Sequence, residues 1–600
     1  MRLGVLTVNE TKQVRLTDRT LIKRLISYAR GHVWKFILAG IMMIFSVAIS
    51  LMLPYLLGKA AGLLGKADTN FIDVILTIIL YAVLMVLSFG LQYFQAIILQ
   101  KVGQSIIFKI RQDVFSHIQS FSTDQFNKIP VGKLVTRVTN DTNTLSEMYS
   151  TVIIDLLKNI FTIIGVFVAM LILNARFTLL VLVLSPLLVI ISFIFRKLSR
   201  KAHREVRNNL TDVNTFLSEN ISGMKVTQVF NQEKKKYKEF RQRNKALRNS
   251  SLKEIFIFGV FRPSIYVLYL LTTALVLWFG ARSAIGEISF IPEVGYELII
   301  TFTQYIDMLF HPLQQLAEQF NVLQSAFASA EKIFAVLDTK PEVVDEVDAL
   351  PIEDIAGEIE FQNVWFSYLP DEWVLKDVSF KIKPNETVAF VGATGSGKTT
   401  ILSLIVRNFD IQKGRILIDG RDIKDIKLSS LRKQIGQMPQ DVFLFSGTIF
   451  SNIQMREESI SFEDVKEAAE YVNADKFIEK LPKSYEEEVR ERGNNFSSGQ
   501  RQLISFARTI AHKPKVMMLD EATANIDTET ETLIQDSLKK MMNIGTMLIV
   551  AHRLSTIQHV DKIIVLQKGR IVEEGNHQEL LRKRGHYYKL YQLQNHEKVV

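Results

Sequence analysis

The sequence predicts an all-α transmembrane domain of six helices followed by an α/β domain built around a phosphate loop. Three observations support this prediction. Long apolar runs recur through the first half of the chain. The second half alternates short apolar strands with helical stretches, and it contains a glycine-rich segment that ends in Gly-Lys-Thr. The chain is therefore expected to join a membrane part to a part that faces water.

The composition of the 600-residue chain agrees with this division. Hydrophobic residues make up 48%, which is high for a purely soluble protein, yet charged residues still make up 22%. Cysteine is absent, which excludes disulfides, thiolate nucleophiles and cysteine-based zinc or iron–sulfur sites. The formal net charge of +10 fits either nucleic-acid binding or basic cytoplasmic loops. The apolar runs favour basic cytoplasmic loops as the explanation of this charge, so we expect no nucleic-acid partner.

Six apolar runs are candidates to cross the hydrocarbon core, which takes about 20 mostly apolar residues. They are Phe36–Leu57, Phe71–Leu99, Val152–Leu173, Phe177–Phe195, Ile255–Phe279 and Leu298–Leu313. The last run is the weakest, because Gln304, Asp307 and His311 interrupt it. Six spans place both ends of the chain on the same side of the membrane.

The placement of lysine and arginine predicts which side that is. The connections 99–151 and 196–254 are long and basic, whereas 58–70, 174–176 and 283–293 are short and carry few basic residues or none. Lysine and arginine are enriched in cytoplasmic loops. We therefore expect a multi-pass protein of the cell membrane, with both termini and the second half in the cytoplasm. The long connections contain few Gly or Pro breaks, which indicates helical extensions of the spans.

These patterns divide the chain into four parts. Residues 1–32 form a cytoplasmic N-terminal segment whose polar start does not fit a signal peptide, and residues 33–325 form the transmembrane domain. Residues 326–357 turn polar and acidic and are predicted to be a linker. Residues 358–600 alternate strands and helices and are predicted to be a soluble α/β domain that binds nucleotide.

The segment Gly392–Thr399 matches the phosphate-loop pattern G-x-x-x-x-G-K-[ST]. A buried strand precedes it and a helical pattern follows, and this context makes a chance glycine turn a poor alternative. The glycines let backbone N–H groups surround phosphate oxygens, and the helix N-terminus adds a favourable dipole. Lys398 would neutralise phosphate charge, and the Thr399 hydroxyl would hold Mg²⁺. The predicted nucleotide-binding residues of this segment and of the position after it are Gly392, Thr394, Gly395, Ser396, Gly397, Lys398, Thr399 and Thr400.

Two further apolar strands end in polar residues. Val516–Asp520 ends in a carboxylate, and Asp520 is expected to hold Mg²⁺ through water. Glu521 follows at the position where a general base could polarise the attacking water. His552 ends another strand, and ligands collect at the carboxyl edge of open α/β sheets. We predict that His552 contacts the γ-phosphate; a solvated acidic turn and a structural histidine are the alternative interpretations.

The segment Phe496–Gln500 is similar to the signature of ABC transporters, whose usual form is L-S-G-G-Q. The other motifs of the second half follow in the order of that family. By this resemblance Tyr368 stacks on adenine, and Gln440 contacts Mg²⁺ and takes part in catalysis. Glu491–Gly493 resembles the coupling segment of exporters, and Asp527 belongs to the D-loop beside the nucleotide. The resemblance also implies a small antiparallel β subdomain and a helical subdomain.

The membrane half resembles exporter-type half-transporters of the same family, through looser motifs. These are Phe126, Gly132, Leu134, Arg137 and Asp141 in the first intracellular loop, and Glu219, Gly223, Lys225, Phe230 and Glu233 in the second. The resemblance covers nearly the whole chain. It implies an elbow helix within residues 1–32, contact with membrane lipids, and an ATP hydrolase that drives transport.

In this family the signature binds the ATP that the other nucleotide domain holds, which implies two chains with two ATP molecules between them. The residues that would contact the partner's ATP are Ser497, Ser498, Gly499 and Gln500. Ser498 replaces the usual glycine, Phe496 replaces the usual leucine, and 524–531 resembles the glutamate-bearing subunits of bacterial heterodimeric multidrug exporters. We therefore favour a heterodimer with a second half-transporter. A homodimer whose signature has drifted is the alternative.

The function implied is ATP-driven export of amphipathic compounds, such as drugs, lipids or peptides, across the cytoplasmic membrane. ATP binding would close the nucleotide domains and hydrolysis would reset them. A siderophore importer or a lipid flippase on the same fold is the alternative. The six apolar runs exclude a soluble ABC ATPase, and the lack of cysteine argues against a peptide-processing exporter. Asp307 would contact a cationic substrate or lie hydrated in a cavity, and we favour the second interpretation.

Overall fold

The fold is taken from a computed structural model of the chain, which describes residues 19–65, 70–285, 294–455, 457–520, 528–551 and 557–596. The chain divides into two compact units. The first comprises Met1–Gln119 with Val131–Thr339, and the second comprises Ser120–Pro130 with Lys340–Val600. A short segment from the first half of the sequence therefore belongs to the second unit.

The described residues of the first unit are helical apart from short connections. The helices up to residue 338 are α1 (Arg19–Ala29), α2 (Val33–Leu64), α3 (Phe71–Gln119), α4 (Thr123–Lys128), α5 (Val131–Thr136), α6 (Thr142–Glu147), α7 (Ile153–Leu173), α8 (Ala175–Ser222), α9 (Met224–Val229), α10 (Glu233–Ala284) and α11 (Tyr296–Asp338). Of these, α4 lies in the second unit. Two π-helical turns, Arg137–Asp141 and Met148–Val152, flank α6.

Four helical stretches of the described chain are long and apolar enough to cross a membrane. They are Arg19–Leu64, Phe71–Gln119, Val131–Leu173 and Glu233–Ala284. They contain the predicted spans Phe36–Leu57, Phe71–Leu99, Val152–Leu173 and Ile255–Phe279. The other two predicted spans lie within α8 and α11, which are continuous helices outside that set of four. A helical transmembrane domain is confirmed, and the number of six spans stays a prediction.

The longest helices exceed the thickness of a bilayer. α8 has 48 residues and α10 has 52. At 1.5 Å per residue they are about 70 and 80 Å long, against a hydrocarbon core of about 30 Å. Only their apolar parts can lie in lipid, so the basic parts must extend into water. The helix α11 also continues to Asp338, through the first part of the segment predicted as a linker.

The second unit contains twelve strands and, after α4, nine helices among its described residues. The strands are β1 (Ile359–Ser367), β2 (Trp373–Ile382), β3 (Thr387–Val391), β4 (Lys413–Ile418), β5 (Arg421–Asp422), β6 (Ile435–Met438), β7 (Gly447–Thr448), β8 (Glu488–Val489), β9 (Val516–Asp520), β10 (Thr546–Val550), β11 (Lys562–Gln567) and β12 (Arg570–Gly575). The helices are α12 (Lys398–Ile405), α13 (Leu428–Gln434), α14 (Ile449–Gln454), α15 (Phe462–Tyr471), α16 (Asp475–Ile478), α17 (Ser498–Ala511), α18 (Thr528–Met541), α19 (His577–Lys583) and α20 (His586–His596).

These strands form an antiparallel sheet and a mainly parallel sheet. The antiparallel sheet has the order β2-β1-β4-β5, and β7 pairs with β8 in a separate ribbon. The larger sheet has the order β12-β11-β3-β10-β9-β6, in which β12 runs antiparallel to β11. The fold class predicted from the sequence is confirmed: a helical membrane domain precedes an α/β nucleotide domain with a small antiparallel sheet.

Strand β3 is buried on both faces of the larger sheet, and all five of its residues are buried. Val388 and Phe390 pack in a core shared with the antiparallel sheet and α12. Ala389 and Val391 pack in a second core, with α14, α15 and α17. Burial on both faces explains why this strand is a continuous apolar run in the sequence. It also fixes the start of the phosphate loop between two packed layers.

Candidate nucleotide-binding site

Parallel strands bring the predicted site residues to one edge of the larger sheet. β3 lies next to β10, and β10 lies next to β9, with Val550 paired to Asp520. β6 pairs in parallel with β9, and Gln440 follows the last residue of β6 by two positions. The phosphate loop, Asp520 and Gln440 therefore lie at the same carboxyl edge, where ligands bind in open α/β sheets.

The phosphate loop turns tightly between β3 and α12. Gly397 has a φ angle of +103°, which residues with a side chain rarely adopt. A Cβ atom on Gly392 would collide with the carbonyl oxygen of Leu566. The two glycines thus permit a backbone path that a larger residue would block. Such a path suits a loop whose N–H groups bind phosphate oxygens.

Two buried polar side chains of this loop fit a phosphate group. Ser396 is 4% exposed, and its Oγ atom has no hydrogen-bond partner among the described residues. An unpaired buried hydroxyl costs about 1–3 kcal/mol, and a phosphate oxygen would supply its partner. Lys398 is 5% exposed, and its Nζ atom donates to the carbonyls of Gly392 (2.8 Å) and Ala393 (3.2 Å). These bonds hold its charge at the loop.

Thr399 and Asp520 place two oxygen atoms side by side. The hydroxyl of Thr399 donates to Oδ1 of Asp520 across 3.2 Å. Mg²⁺ prefers oxygen ligands and is commonly held by one or two protein groups together with substrate phosphates. The residues present therefore fit a magnesium ion at this point. Gln440, exposed at the same edge, offers a further oxygen.

Tyr368 is fixed beside the phosphate loop. Its hydroxyl lies 3.0 Å from the hydroxyl of Thr400 in α12. Its ring packs edge-on against Phe409, with 5.1 Å between the ring centroids, and the side chain keeps 41% exposure. An aromatic ring held in place with an open surface can stack on a planar base. The predicted contact of this ring with adenine stays a prediction.

The signature segment forms the N-terminus of α17. The Oγ atom of Ser497 accepts from the N–H of Gln500 at 3.2 Å, and the Gln500 side chain accepts from the N–H of Ser497 at 3.0 Å. A hydroxyl that accepts one bond can still donate its hydrogen, so Ser497 can offer it to a phosphate at the positive end of the helix. Phe496 is 5% exposed and packs in the core, whereas Ser498 is the first helical residue.

Three of the predicted residues, Glu521, Asp527 and His552, lie outside the described parts of the chain. The neighbouring strands are described. β9 ends at Asp520, directly before Glu521, and β10 ends at Val550, two residues before His552. The roles assigned to these three residues stay predictions.

Comparison with known proteins adds independent information. The family model described as the ABC transporter transmembrane region matches residues 36–313, and the model described as ABC transporter matches residues 375–524. The probable multidrug resistance ABC transporter ATP-binding/permease protein YheH of Bacillus subtilis (strain 168) is 39% identical over 534 residues, covering 87% of this chain and 77% of that protein. The chain belongs to the ABC transporter family.

Two further relatives narrow its place in the family. The ATP-dependent lipid A-core flippase of Syntrophus aciditrophicus (strain SB) is 34% identical over 585 residues, covering 97% of this chain and 95% of that protein. A solved bacterial Atm1-family ABC exporter with ATP bound is 26% identical with a TM-score of 0.77, covering 93% of this chain and 99% of that one. The protein is an exporter-type ABC half-transporter of the membrane. Its cytoplasmic domain binds ATP and couples ATP hydrolysis to transport.

The structure adds a residue to the transporter's signature that sequence analysis missed. Nη1 of Arg501 donates to the carbonyl of Phe496 (2.6 Å) and to the carbonyl of Gly493 (3.4 Å). Gly493, with a φ angle of +66°, ends the segment that the sequence predicts to be a coupling segment. Arg501 therefore ties this segment to the first residue of the signature. From the sequence alone, an arginine after the signature is expected to be a solvent-exposed charge. Its hydrogen-bond partners are backbone carbonyls, and only the structure shows where these point.

Proposed function

We propose that this half-transporter exports amphipathic compounds as one half of a dimer that encloses two ATP molecules. The observation that supports a dimer is the position of Ser497. It is exposed at the N-terminus of α17, where its hydroxyl can meet a phosphate brought by another chain. One chain carries one phosphate loop and one signature, so two chains would complete two sites with two-fold symmetry or near-symmetry.

Each composite site would combine the phosphate loop of one chain with the signature of the other. Ser396 and Lys398 would bind phosphate oxygens, and Tyr368 would stack on adenine. The other residues proposed to contact nucleotide are Gly392, Thr394, Gly395, Gly397, Thr399, Thr400, Asp527 and, from the partner, the positions of Ser497, Ser498, Gly499 and Gln500. The glycines among them would offer backbone N–H groups, and the serines and threonines would also offer hydroxyl groups.

Hydrolysis would use the polar ends of the parallel strands. Thr399, Gln440 and Asp520 would hold Mg²⁺, which neutralises phosphate charge when it is bound. Glu521 would accept the proton of the attacking water as general base, and His552 would hold the γ-phosphate. ATP would close the nucleotide domains because it binds the closed state better than the open one, and loss of the γ-phosphate would remove that preference.

The domain boundaries belong to the same proposal. Residues 1–32 would be the N-terminal segment with its elbow helix, 33–325 the transmembrane domain with six spans, 326–357 the linker and 358–600 the nucleotide domain. The described helix α1 (Arg19–Ala29) is a short helix ahead of α2, which agrees with an elbow. The intracellular extensions of the spans would carry movement from the nucleotide domain to the membrane.

The substrate class rests on the membrane domain and on the names of the relatives. One relative is named for multidrug resistance and another as a lipid flippase, and both activities move amphipathic molecules. Export of amphipathic compounds with lipid flipping as a special case is therefore the best-supported function. A siderophore importer on the same fold is the second candidate. Asp307 is exposed on the surface of this chain, so it is available to a water-filled cavity.

The proposed partner is a second, different half-transporter. Ser498 stands where the usual signature has glycine, which would make this signature the weaker of two. Glu521 would then lie at the site that hydrolyses ATP efficiently, and the partner would supply the signature of that site. Purification of the chain alone tests this point, because a stable and fully active homodimer would contradict it.

The function is tested with the assembled transporter in inside-out membrane vesicles. We expect ATP-dependent uptake of ethidium, a fluorescent amphipathic cation, or ATP-dependent movement of a fluorescent phospholipid between leaflets. E521Q should keep ATP binding and lose hydrolysis by about a hundredfold or more, as expected for loss of a general base. Normal turnover in E521Q would contradict the assigned base. ATP-dependent movement in the opposite direction would favour the importer.

A further inference from the structure

Part of the first intracellular loop is bonded to the linker inside the second unit. The helix α4 and the residues around it, Ser120–Pro130, belong to that unit although they lie between two membrane helices in the sequence. The chain therefore passes between the units at three points: after Gln119, after Pro130 and after Thr339. A movement of the nucleotide domain would therefore act on the membrane unit at three covalent connections.

Gln125 connects α4 to the linker through its side-chain amide. Its Nε2 atom donates to the carbonyl of Lys340 at 2.9 Å, and its Oε1 atom accepts from the N–H of Glu342 at 3.3 Å. The residue is 4% exposed. The side-chain amide thus pairs with two nearby peptide groups of the linker, as the backbone of a neighbouring strand would. The linker is thereby held in one register against α4, in a place shielded from water.

The same side chain also fixes the start of α4. Oε1 of Gln125 accepts from the N–H of Ser122 at 3.0 Å, and the Ser122 hydroxyl accepts from the N–H of Gln125 at 3.4 Å. This arrangement is a capping box. The oxygen that caps the helix is therefore the oxygen that binds the linker. The cap holds the Gln125 side chain in the orientation in which it binds the linker.

Charged groups surround this connection but contribute less to it. Glu342 accepts from the Ser122 hydroxyl at 3.3 Å and pairs with Lys128 at 3.4 Å. Lys128 also pairs with Asp124, and that bond raises the pKa of Lys128. Lys128 and Glu342 are both nearly half exposed, so water and salt weaken their attraction. The buried amide of Gln125 is the part of the connection that solvent cannot replace.

We propose that Gln125 is a positioning residue of the transport cycle, which makes the linker and the first intracellular loop follow the nucleotide domain as one body. A linker that is tied at one end only can change its own backbone angles and absorb a movement. A linker held to α4 passes the movement on to the chain on both sides. This inference rests on the proposed function, because it assumes that ATP binding moves the membrane unit.

The test uses hydrogen exchange on the full transporter in lipid nanodiscs, with and without ATP and vanadate. Q125M keeps the length and approximate volume of the side chain and removes both linker bonds. We expect the amide of Glu342 to exchange roughly tenfold faster, which corresponds to one ordinary hydrogen bond. Protection of the phosphate loop by ATP should remain, whereas the ATP-dependent change in peptides of the membrane unit should fall by more than half.

Q434M is the matched control. Nε2 of Gln434 donates to the carbonyl of Glu353 at 2.6 Å, so it also holds the linker by a side-chain amide, but from α13 and not from the intracellular loop. We expect the membrane unit of Q434M to respond to ATP as the wild type does. An equal loss in Q434M would overturn the inference, because general loosening of the linker would then explain both.

The remaining outcomes separate this inference from the proposed function. A response of wild-type size in Q125M would overturn the inference alone. A wild-type membrane unit that does not respond to ATP would overturn the proposed function and the inference with it. If Q125M does not fold, Q125N keeps a polar amide but is shorter by one methylene, so it cannot reach both the Lys340 carbonyl and the Glu342 N–H and should give a loss in the same direction. An unchanged response in Q125N would then overturn the inference.

Discussion

Replacement of Ser396 by alanine is expected to stabilise the nucleotide-free transporter and to weaken its binding of ATP. The two effects have opposite signs because the hydroxyl has no partner until a phosphate arrives. Ser396 is 4% exposed, and its Oγ atom is unpaired among the described residues. Removal of an unpaired buried hydroxyl relieves a cost of about 1–3 kcal/mol. Most single core substitutions destabilise a protein, so a gain in stability would be an unusual and specific result.

The size of the ATP effect follows from the bond that would be lost. A hydrogen bond to a charged group contributes about 1.5–3 kcal/mol, which corresponds to a Kd for ATP that rises about 10- to 150-fold. At an ATP concentration of about 100 times the wild-type Kd, the ligand stabilises the wild type by about 2.7 kcal/mol. A thirtyfold rise in Kd reduces that stabilisation to about 0.9 kcal/mol. The ATP-induced shift in Tm should therefore shrink by about two thirds.

S537A is the matched control for S396A. The Ser537 hydroxyl is also fully buried in the second unit, but it donates to the carbonyls of Val472 (2.6 Å) and Leu533 (2.7 Å). Its removal should cost about 1–2 kcal/mol and leave ATP binding unchanged. Thermal unfolding of the transporter in nanodiscs, with and without Mg-ATP, measures both effects. A lower Tm for S396A without ATP, or an unchanged ATP-induced shift, would refute the reasoning.

Three further predictions concern other parts of the chain. D141A should destabilise the membrane unit by about 3–5 kcal/mol, because Asp141 is the buried partner of Arg137 (2.5 Å). Thermal unfolding should show a much smaller loss for S329A, which removes only the hydroxyl that donates to Asp141 (2.8 Å) and leaves the ion pair in place. R501M should raise the KM for ATP more than it lowers kcat, because the signature loses the hydrogen bond from Arg501 to the Gly493 carbonyl. ATPase rates measured over a range of ATP concentrations give both constants. Burial lowers the pKa of His577 from its usual 6.5, so the unfolded chain binds more protons than the folded chain below about pH 6.5. The stability of the protein should therefore fall as the pH falls through that window. The Tm of H577Q should decrease less between about pH 7.5 and pH 5.5 than the Tm of the wild type.

The features that the sequence predicts well are those that neighbouring residues determine. The phosphate loop needs glycines at fixed spacing between a buried strand and a helix, and the structure has β3, the loop and α12 in that order. The strand that ends at Asp520 is an uninterrupted apolar run because both faces of β9 are covered. Local sequence and tertiary packing point to the same structure at each of these places.

The features that the sequence does not reveal join residues far apart in the chain. Gln125 and Lys340 are 215 positions apart, and neither lies in an apolar pattern that periodicity could detect. Arg501 bonds to backbone carbonyls, whose direction depends on φ angles that no residue type specifies. The apolar pattern of a spanning helix also ends at the membrane surface, whereas the helix itself continues beyond it. The predicted span Phe177–Phe195 is less than half of α8, which runs on to Ser222.

The structure separates the two departures in the signature that favour a heterodimer. Phe496 is buried in the core with its side chain away from solvent, where a large apolar residue of another shape fills similar space. Its backbone carbonyl is held by Arg501, so its contribution to the site does not depend on the side chain. Ser498 is different, because it is the first residue of α17 and remains partly exposed beside Ser497. A Cβ atom and a hydroxyl at this point occupy space close to where a phosphate would bind. Within the signature, the case for unequal sites therefore depends on Ser498, which adds to the resemblance of residues 524–531 to glutamate-bearing subunits, and Phe496 is neutral evidence between a homodimer and a heterodimer.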